Sequence, residues 1–202
     1  TSKICYKKKG VVYVGSKSKF LKILDINRKF DFIILVYWPF IIPKKYFSKF
    51  DNSINFHPSL LPNHRGWYPH VHAKINFEKW GVSLHQIDHN IDTGDIWIQK
   101  PIKINILWDN KKLYQIAKKE LLKLFKNNFK NIFSGKIKLK KQKTKSKFLK
   151  KQDSLKYDVL PLNSKINLKN FINLCLARSW GNKSFLKIIH KDEKYKVFLK
   201  IQ

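Results

Sequence analysis

Hydrophobic positions along the chain fall into short runs of strand length, separated by segments with helical spacing. Residues 32–36 are apolar throughout, which predicts a buried parallel strand. Shorter apolar runs predict strands at 11–14, 53–57, 81–87 and 96–106, and helical character is found at 18–27, 68–80 and 168–178. Loops are predicted at 58–67 and 88–95. Strands that alternate with helices indicate an α/β protein with a mainly parallel sheet.

The clearest single element is a long amphipathic helix. Hydrophobic residues recur every three or four positions with lysines between them, at Tyr114, Ala117, Leu121, Phe125, Phe129 and Ile132. Their spacing averages about 3.6 residues, the helical period. We expect the helix to end at Gly135.

The carboxyl-terminal third changes character. Residues 136–151 hold nine lysines and no acid, which favours a solvated linker over a phosphate-binding arm. Apolar runs at 185–190 and 196–201 flank a polar tetrapeptide and predict a β-hairpin. The predicted division is therefore a core at 1–135, a lysine-rich linker at 136–155 and a small α+β tail at 156–202.

Charge is the strongest compositional signal. The 202 residues include 43 Lys and Arg against 13 Asp and Glu, for a net charge of +30. Such a field attracts polyanions, but only three of the basic residues are arginines, the side chain most used to recognise phosphates and bases. A net charge alone therefore does not favour a nucleic-acid function.

Compartment and cofactor classes are narrowed by what the sequence lacks. The longest apolar stretch, 32–43, is shorter than the roughly 18 residues that a membrane span needs. The first residues have no apolar leader, and the two cysteines at positions 5 and 175 have neither disulfide nor metal-site spacing. His70 and His72 have no third ligand at zinc spacing, so no metal is expected. We also expect a cytoplasmic protein without a membrane partner.

One constellation carries candidate chemistry. Asn55 and His57 share one face of a predicted strand where it gives way to a loop, and Asp92 lies in a later loop. An amide, an imidazole and a carboxylate at a strand end can perform acyl transfer by stabilising an oxyanion, moving a proton and orienting the imidazole. The alternative is purely structural, a histidine cap and an Asp-Thr-Gly-Asp turn.

The wider motif resembles a known enzyme family. Residues 55–62 read Asn-Phe-His-Pro-Ser-Leu-Leu-Pro, Arg-Gly follows at 65–66, Gly-Val-Ser at 81–83 and Asp-Thr-Gly-Asp at 92–95. This order is similar to the catalytic core of formyltransferases that use 10-formyltetrahydrofolate. The resemblance covers about residues 30–137 and implies a Rossmann-like core with a shortened first β-α unit, since 54 residues precede Asn55.

The resemblance also implies site residues. Asn55, His57 and Asp92 match the catalytic triad, in which a primary amine attacks the formyl carbon. The positions matching the folate site are Phe40, Ile41, Ile42, Ile87, Asp88, His89, Asn90 and Ile91. The positions expected to contact the acceptor are Arg65, Gly66, Trp67 and Tyr68. No metal is implied.

Several branches of the family compete. An aromatic residue and a proline after Arg-Gly, together with a short tail, are similar to nucleotide-sugar N-formyltransferases, so a nucleotide-linked amino sugar is the expected acceptor. A methionyl-tRNA formyltransferase-like enzyme, with tRNA as partner, is the alternative, although the residues after 135 are few for its barrel domain. Glycinamide ribonucleotide formyltransferase fits less well, since its glycine-rich phosphate loop is not found. For function, the remaining alternative is an inactive lysine-rich module that binds polyanions. For assembly, a homodimer is possible under any of these functions.

Overall fold

A computed structural model describes residues 7–8, 11–12, 15–26, 28–142, 146 and 148–199. The chain forms two compact units, Thr1–Ile54 and Asn55–Gln202. Strand β4 continues from the first unit into the second. Among the described residues, no helix combines the length and hydropathy that a bilayer span requires.

The first unit contains a short hairpin, one helix and the larger part of two strands. Its elements are β1 (Lys7–Lys8), β2 (Val11–Val12), α1 (Lys17–Asp25), β3 (Phe30–Val36), a 3₁₀ turn (Lys44–Lys49) and β4 (Phe50–His57). Of the strand predicted at 11–14, positions 13 and 14 lie outside the described residues. Ser16 caps α1 by accepting a hydrogen bond from the Lys19 amide at 3.3 Å.

Strand β3 confirms the prediction at 32–36 in position but not in burial. Ile33 and Leu35 are buried, whereas Ile34 and Val36 are 41% and 58% exposed. Because side chains alternate across a strand, only one face of β3 is covered.

The second unit contains the remaining elements. They are β5 (Arg65–Gly66), α2 (Pro69–Ile75), β6 (Trp80–His85), β7 (Ile96–Ile102), α3 (Asn110–Phe133), β8 (Phe148–Leu149), α4 (Lys151–Leu155), β9 (Val159–Pro161), α5 (Leu168–Ala177), β10 (Ser179–Trp180), β11 (Lys183–Ser184), β12 (Lys187–His190) and β13 (Glu193–Lys196). The predicted helices and strands of this part of the chain are present with ends shifted by a few residues, except that the last strand, predicted at 196–201, lies at Glu193–Lys196.

The strand pairs that carry the site are antiparallel. In the second unit β4 pairs with β6 and β6 pairs with β7, both antiparallel, whereas β5 with β8 and β9 with β12 are parallel. The expectation of a mainly parallel sheet is therefore wrong for β4, β6 and β7. The loop at 86–95 joins β6 to β7 without a crossover helix, a connection that suits antiparallel neighbours.

Helix α3 confirms the prediction of an amphipathic helix, but its buried face is rotated relative to the predicted apolar stripe. Its buried stripe includes Leu113 and Leu124 in addition to the predicted Ala117 and Leu121, while Phe129 is 38% exposed. The helix packs on β6 and β7. It therefore covers the back of the two strands between which the loop at 86–95 is held.

The lysine-rich segment is more than a solvated linker in its described part. Lys140 and Ile96 exchange two backbone hydrogen bonds, at 2.8 and 2.9 Å, and β8 pairs with β5. Ile137, Leu139 and the residues of β8 are half-buried while the described lysines between them are exposed. The alternation of apolar and basic residues lets this segment add backbone pairs to the core and keep its charges in water.

The carboxyl-terminal part packs on the rest of its unit. Leu174 and Cys175 of α5 form a buried cluster with Leu186, and the Asn173 amide donates to the Lys74 carbonyl of α2. A hairpin is present as β12 and β13, but its turn is at 191–192 and its second strand precedes the predicted 196–201, of which positions 200 and 201 lie outside the described residues. The division at 135 and 155 stays a prediction.

Candidate active site

The end of β4 supplies two of the expected side chains. Asn55 stands opposite His85 of β6, and His57 stands opposite Ser83. Asn55 and His57 share a face of β4, as the two-residue spacing predicts, and both approach Asp92. His57 is 5% exposed, so the site lies largely out of bulk water.

Asp92 is positioned by the loop between β6 and β7. Its backbone is left-handed, with φ of 55°, and its Oδ2 accepts a hydrogen bond from the Gly66 amide at 2.9 Å. The Gln142 amide donates to the carbonyls of Asp92 at 3.1 Å and Gly94 at 2.7 Å. Two chain segments therefore hold the loop from outside it.

The triad distances are short but not all are hydrogen bonds. Asn55 Nδ2 donates to Asp92 Oδ1 at 3.4 Å, and His57 Nδ1 lies 3.5 Å from Asp92 Oδ2. The side chains of His57 and Asp92 are 6% and 11% exposed. The three residues thus meet as expected, at contact distances that a small rotation can close into hydrogen bonds.

His85 is a fourth member that sequence reasoning left without a role. Its Nε2 lies 3.1 Å from Asn55 Nδ2 and 3.6 Å from Asp92 Oδ1. Its Nδ1 lies 2.6 Å from the Gln86 carbonyl, which can only accept, so Nδ1 carries the proton and Nε2 presents a lone pair. Burial lowers the pKa of His85 to about 4, and the nearby Asp92 carboxylate opposes that shift.

Neutral His85 accepts one hydrogen of the Asn55 amide, and Asp92 accepts the other. The amide is therefore fully engaged and its orientation is fixed. The sequence signal for His85 was its place within the strand predicted at 81–87, because the register with Asn55 is a tertiary property.

A second missed group shapes the loop after β4. Ser83 Oγ donates to the Ser59 carbonyl at 2.7 Å and accepts from the Leu61 amide at 3.1 Å. Gln99 Nε2 donates to the Leu61 carbonyl at 2.6 Å and to Ser83 Oγ at 2.9 Å. These five polar groups, largely removed from water, satisfy one another and fix the loop that follows His57.

The residues expected to contact the acceptor lie on β5 and just beyond it. The Arg65 guanidinium donates to Ser146, and Gly66 has a φ of 96° with no room for a side chain beside Leu149. Trp67 is 41% exposed with the Lys151 ammonium 6.0 Å from its ring. Of the four, Trp67 exposes aromatic surface, while Tyr68 adopts φ of 51° and places its ring 5.8 Å from that of Trp67.

The residues expected to bind folate lie in both units. In the first unit, Phe40 and Ile41 are 44% and 70% exposed and Ile42 is buried. In the second, residues 87–91 form the first half of the loop that carries Asp92. Asp88 Oδ1 orders this half by accepting from the Asn90 amide at 3.1 Å and the Thr93 hydroxyl at 2.5 Å. His89 and Asn90 are exposed at its tip.

A family model described as formyl transferase matches residues 17–127, more than half of the chain and the whole of the triad. The chain belongs to the formyl transferase family.

Individual relatives extend this comparison. The dTDP-4-amino-4,6-dideoxyglucose formyltransferase of Mycobacterium tuberculosis is 28% identical over 158 residues, which are 70% of this formyl transferase and 65% of the relative. This chain thus spans about two thirds of that protein. Methionyl-tRNA formyltransferases are also among the relatives.

Solved structures share the fold. A 4-N formyltransferase from Francisella tularensis superposes with a TM-score of 0.82 at 23% identity, covering 94% of this chain and 77% of that one. An N-formyltransferase from Helicobacter canadensis, solved in complex with folinic acid and dTDP-3-aminofucose, gives 0.68 at 27% identity, with 87% and 64% covered. The expected Rossmann-like α/β class of this formyl transferase is confirmed.

Proposed function

We propose that this formyl transferase moves a formyl group from 10-formyltetrahydrofolate to the primary amine of a nucleotide-linked amino sugar. The observation that carries the proposal is the meeting of Asn55, His57 and Asp92 at the end of β4. Support for the acceptor comes from the relatives, since the mycobacterial protein is named for a dTDP-linked amino sugar and the Helicobacter structure holds another with a folate.

The residues fit a folate donor and an amine acceptor. The donor supplies an electrophilic formyl carbon. Phe40 and Ile41 expose apolar surface of the kind that a flat pterin covers, and the largely buried Asp92 can accept a proton from an ammonium or amine.

Asn55 would stabilise the negative charge that develops on the formyl oxygen. As the amine nitrogen bonds to the formyl carbon, the carbonyl electrons move to oxygen, and Asn55 Nδ2 donates to it. One such donor is typically worth about 10²–10³ in rate. To do so, Asn55 gives up one of its present bonds, to His85 Nε2 or Asp92 Oδ1.

Asp92 and His57 would manage the proton. Asp92 takes the proton that the attacking nitrogen loses, and the electrons on oxygen re-form the carbonyl as the bond to the folate nitrogen breaks. His57, 3.5 Å from Asp92, stabilises the oxyanion and passes a proton to the departing nitrogen. General acid–base help of this kind contributes about 10²–10⁴ in rate.

The test is release of tetrahydrofolate from 10-formyltetrahydrofolate with a panel of amines. The panel holds dTDP- and UDP-linked amino sugars, glycinamide ribonucleotide and charged initiator tRNA. We expect amine-dependent release with an amino sugar, and a loss of about 10²–10⁴ in His57→Ala and Asp92→Asn. His190→Ala, at an exposed histidine of β12, is the matched control. Full release in the two triad variants contradicts the proposal.

The tRNA alternative has its own supporting observation. Methionyl-tRNA formyltransferases are among the relatives, and a net charge of +30 suits a polyanionic acceptor. The salt dependence of binding distinguishes a tRNA or another polyanion from a small molecule bound in a pocket. Contacts to many phosphates weaken by several decades between low and moderate salt, whereas binding within a small-molecule site does not.

A further inference from the structure

Three lone-pair groups converge at the centre of the candidate active site. His57 Nε2 lies 3.2 Å from the His64 carbonyl, which can only accept, so a neutral His57 carries its proton there and presents a bare Nδ1. His85 likewise turns its Nε2 lone pair toward the site, because its Nδ1 proton faces the Gln86 carbonyl, and this lone pair accepts from the Asn55 amide at 3.1 Å. The two nitrogens lie 3.5 and 3.6 Å from oxygens of the Asp92 carboxylate.

A cation at the centre of this arrangement would contact all three groups. An N–H···O hydrogen bond is usually about 2.9–3.0 Å long, so neither histidine contact has that geometry. Gly66 and Asn55 donate to the carboxylate at 2.9 and 3.4 Å, and a cation that binds His85 Nε2 displaces the hydrogen that Asn55 now donates to it. A proton on His57 or a metal cation would satisfy the facing lone pairs.

We propose that His57 Nδ1, His85 Nε2 and Asp92 bind one Zn²⁺ ion. Bonds of about 2.0–2.2 Å from zinc to nitrogen and oxygen put neighbouring ligand atoms of a tetrahedron about 3.4 Å apart. The two measured separations are 3.5 and 3.6 Å, and all three ligand atoms lie within 4.8 Å of one another. A small rotation of the two rings, which now stand at 85° to each other, completes the three-ligand set.

The surroundings of the two rings support metal binding. Zinc-binding histidines commonly donate their other N–H to a backbone carbonyl, which fixes the ring and its tautomer, and both rings here do so. Two imidazoles and one carboxylate suit zinc, whereas Mg²⁺ and Ca²⁺ prefer oxygen ligands. Within the described part of the chain, this is the group of three or more such side chains that could enclose an ion.

The ion is an inhibitor and not a cofactor. It would occupy the lone pairs of His57 and Asp92 with which the proposed transfer moves its proton. This consequence rests on the proposed function, whereas metal binding itself does not. Zinc and the amine would therefore compete for one site.

Binding is tested first, without activity. The untagged full chain is cleared of metal and titrated with Zn²⁺ against a colorimetric chelator. We expect one equivalent, with micromolar or tighter affinity, and at least tenfold weaker binding in His85→Gln and Asp92→Asn. His190→Gln is the matched histidine control. Asn55→Ala removes a donor and keeps all three ligands, so it should bind as tightly as the wild type. Thermal melts identify misfolded variants; if His85→Gln is one, Asp92→Asn carries the comparison.

Two further readouts decide the proposal. Co²⁺ should give the visible absorption of a four-coordinate site in the wild type and Asn55→Ala, and lose it in Asp92→Asn. Zinc binding that is unchanged in both ligand variants, or is no stronger than Mg²⁺ binding, overturns the site. Formyl transfer unaffected by saturating zinc overturns the inhibition, whereas ligand-dependent zinc binding by a chain without transfer activity contradicts only the proposed function.

Discussion

Asp92 can reach the site because Gly94 has no side chain. A Cβ at Gly94 would collide with the carbonyl oxygen of Gln86, on the other arm of the same loop. The Gln142 amide bridges Asp92 and Gly94 across this narrow point. The position of the Asp92 carboxylate therefore depends on Gly94, a residue that takes no part in the proposed chemistry.

Gly94→Ala should consequently lower transfer without unfolding the protein. The loop must widen to admit the methyl group, and a displacement near 1 Å costs about 10² in rate. Gly135→Ala is the matched control, because φ there is 72° and a Cβ would have open space. The control should lose about 1 kcal/mol of stability and keep its activity. Equal activity losses in the two variants would contradict the role given to the loop.

Lys74 is a buried residue outside the proposed chemistry. It is 1% exposed on α2, its ammonium donates to the Ile106 carbonyl at 2.9 Å, and burial lowers its pKa to about 8. Between pH 8 and 10.5 the unfolded chain binds more protons at this residue than the folded chain. The free energy of unfolding contributed by Lys74 therefore rises with pH in that window.

Lys74→Met should remove this pH dependence. Relative to the variant, the wild type should gain about 2 kcal/mol in unfolding free energy between pH 7.5 and 9.5, measured by urea denaturation. Lys169→Met, at an exposed lysine of α5, should follow the wild type. A parallel pair of curves for wild type and Lys74→Met would show that the ammonium is solvated.

At the scale of elements, the long helix shows what a sequence pattern can and cannot predict. The 3.6-residue spacing located α3, since periodicity depends only on local geometry. It did not select Leu113 and Leu124 over Phe129 for the buried stripe, because that choice depends on where β6 and β7 lie. Likewise, the spacing of Asn55 and His57 predicted a shared face, but the partner His85 required the register of β4 with β6.

The antiparallel pairing of β4 with β6 and of β6 with β7 was not predicted, for a related reason. A continuous apolar run at 32–36 is typical of parallel strands, and the connections give no direct sign of direction when a helix such as α2 lies between two antiparallel strands. The motif at 55–62 and the turn at 92–95 were more informative, since both place side chains through short-range geometry.

Asp109 links two elements and gives a test at this scale. Its Oδ1 accepts from the Lys112 amide at 2.7 Å and caps α3, while Oδ2 accepts from the Gly181 amide at 3.0 Å, between β10 and β11. Asp109→Ala should cost about 1–2 kcal/mol of unfolding free energy, and Asp109→Asn, which keeps an acceptor at the cap, less than half of that. Urea denaturation measures both; equal losses would mean that charge, and not capping, is what matters.

At the scale of the whole molecule, buried histidines make stability sensitive to acid. Burial lowers the pKa values of His70 and His72, both on α2, to about 4. Between pH 6.5 and 4 the unfolded chain takes up protons that the folded chain does not. The free energy of unfolding must therefore fall as pH falls through this window.

His72→Gln should flatten part of that fall. One such histidine contributes a loss of about 2–3 kcal/mol between neutral pH and pH 4.5. His190→Gln, at an exposed position, should leave the pH profile unchanged. Urea denaturation at pH 7 and 4.5 makes the comparison, and a variant whose loss equals that of the wild type would contradict the burial argument.

The pairing of β5 with β8 has a consequence for how the protein is made. A ribosome delivers Asn55, His57 and Asp92 well before Gln142, Ser146 and Leu149, the residues that hold the Asp92 loop and Gly66 in place. A nascent chain that ends near residue 135 thus contains every triad residue but lacks the later residues that contact the Asp92 loop and β5. The contacts of Gln142 and β8 form only when later-synthesised chain folds back over earlier chain, so a pause in translation before residue 149 would leave the triad residues made and the Asp92 loop without this support.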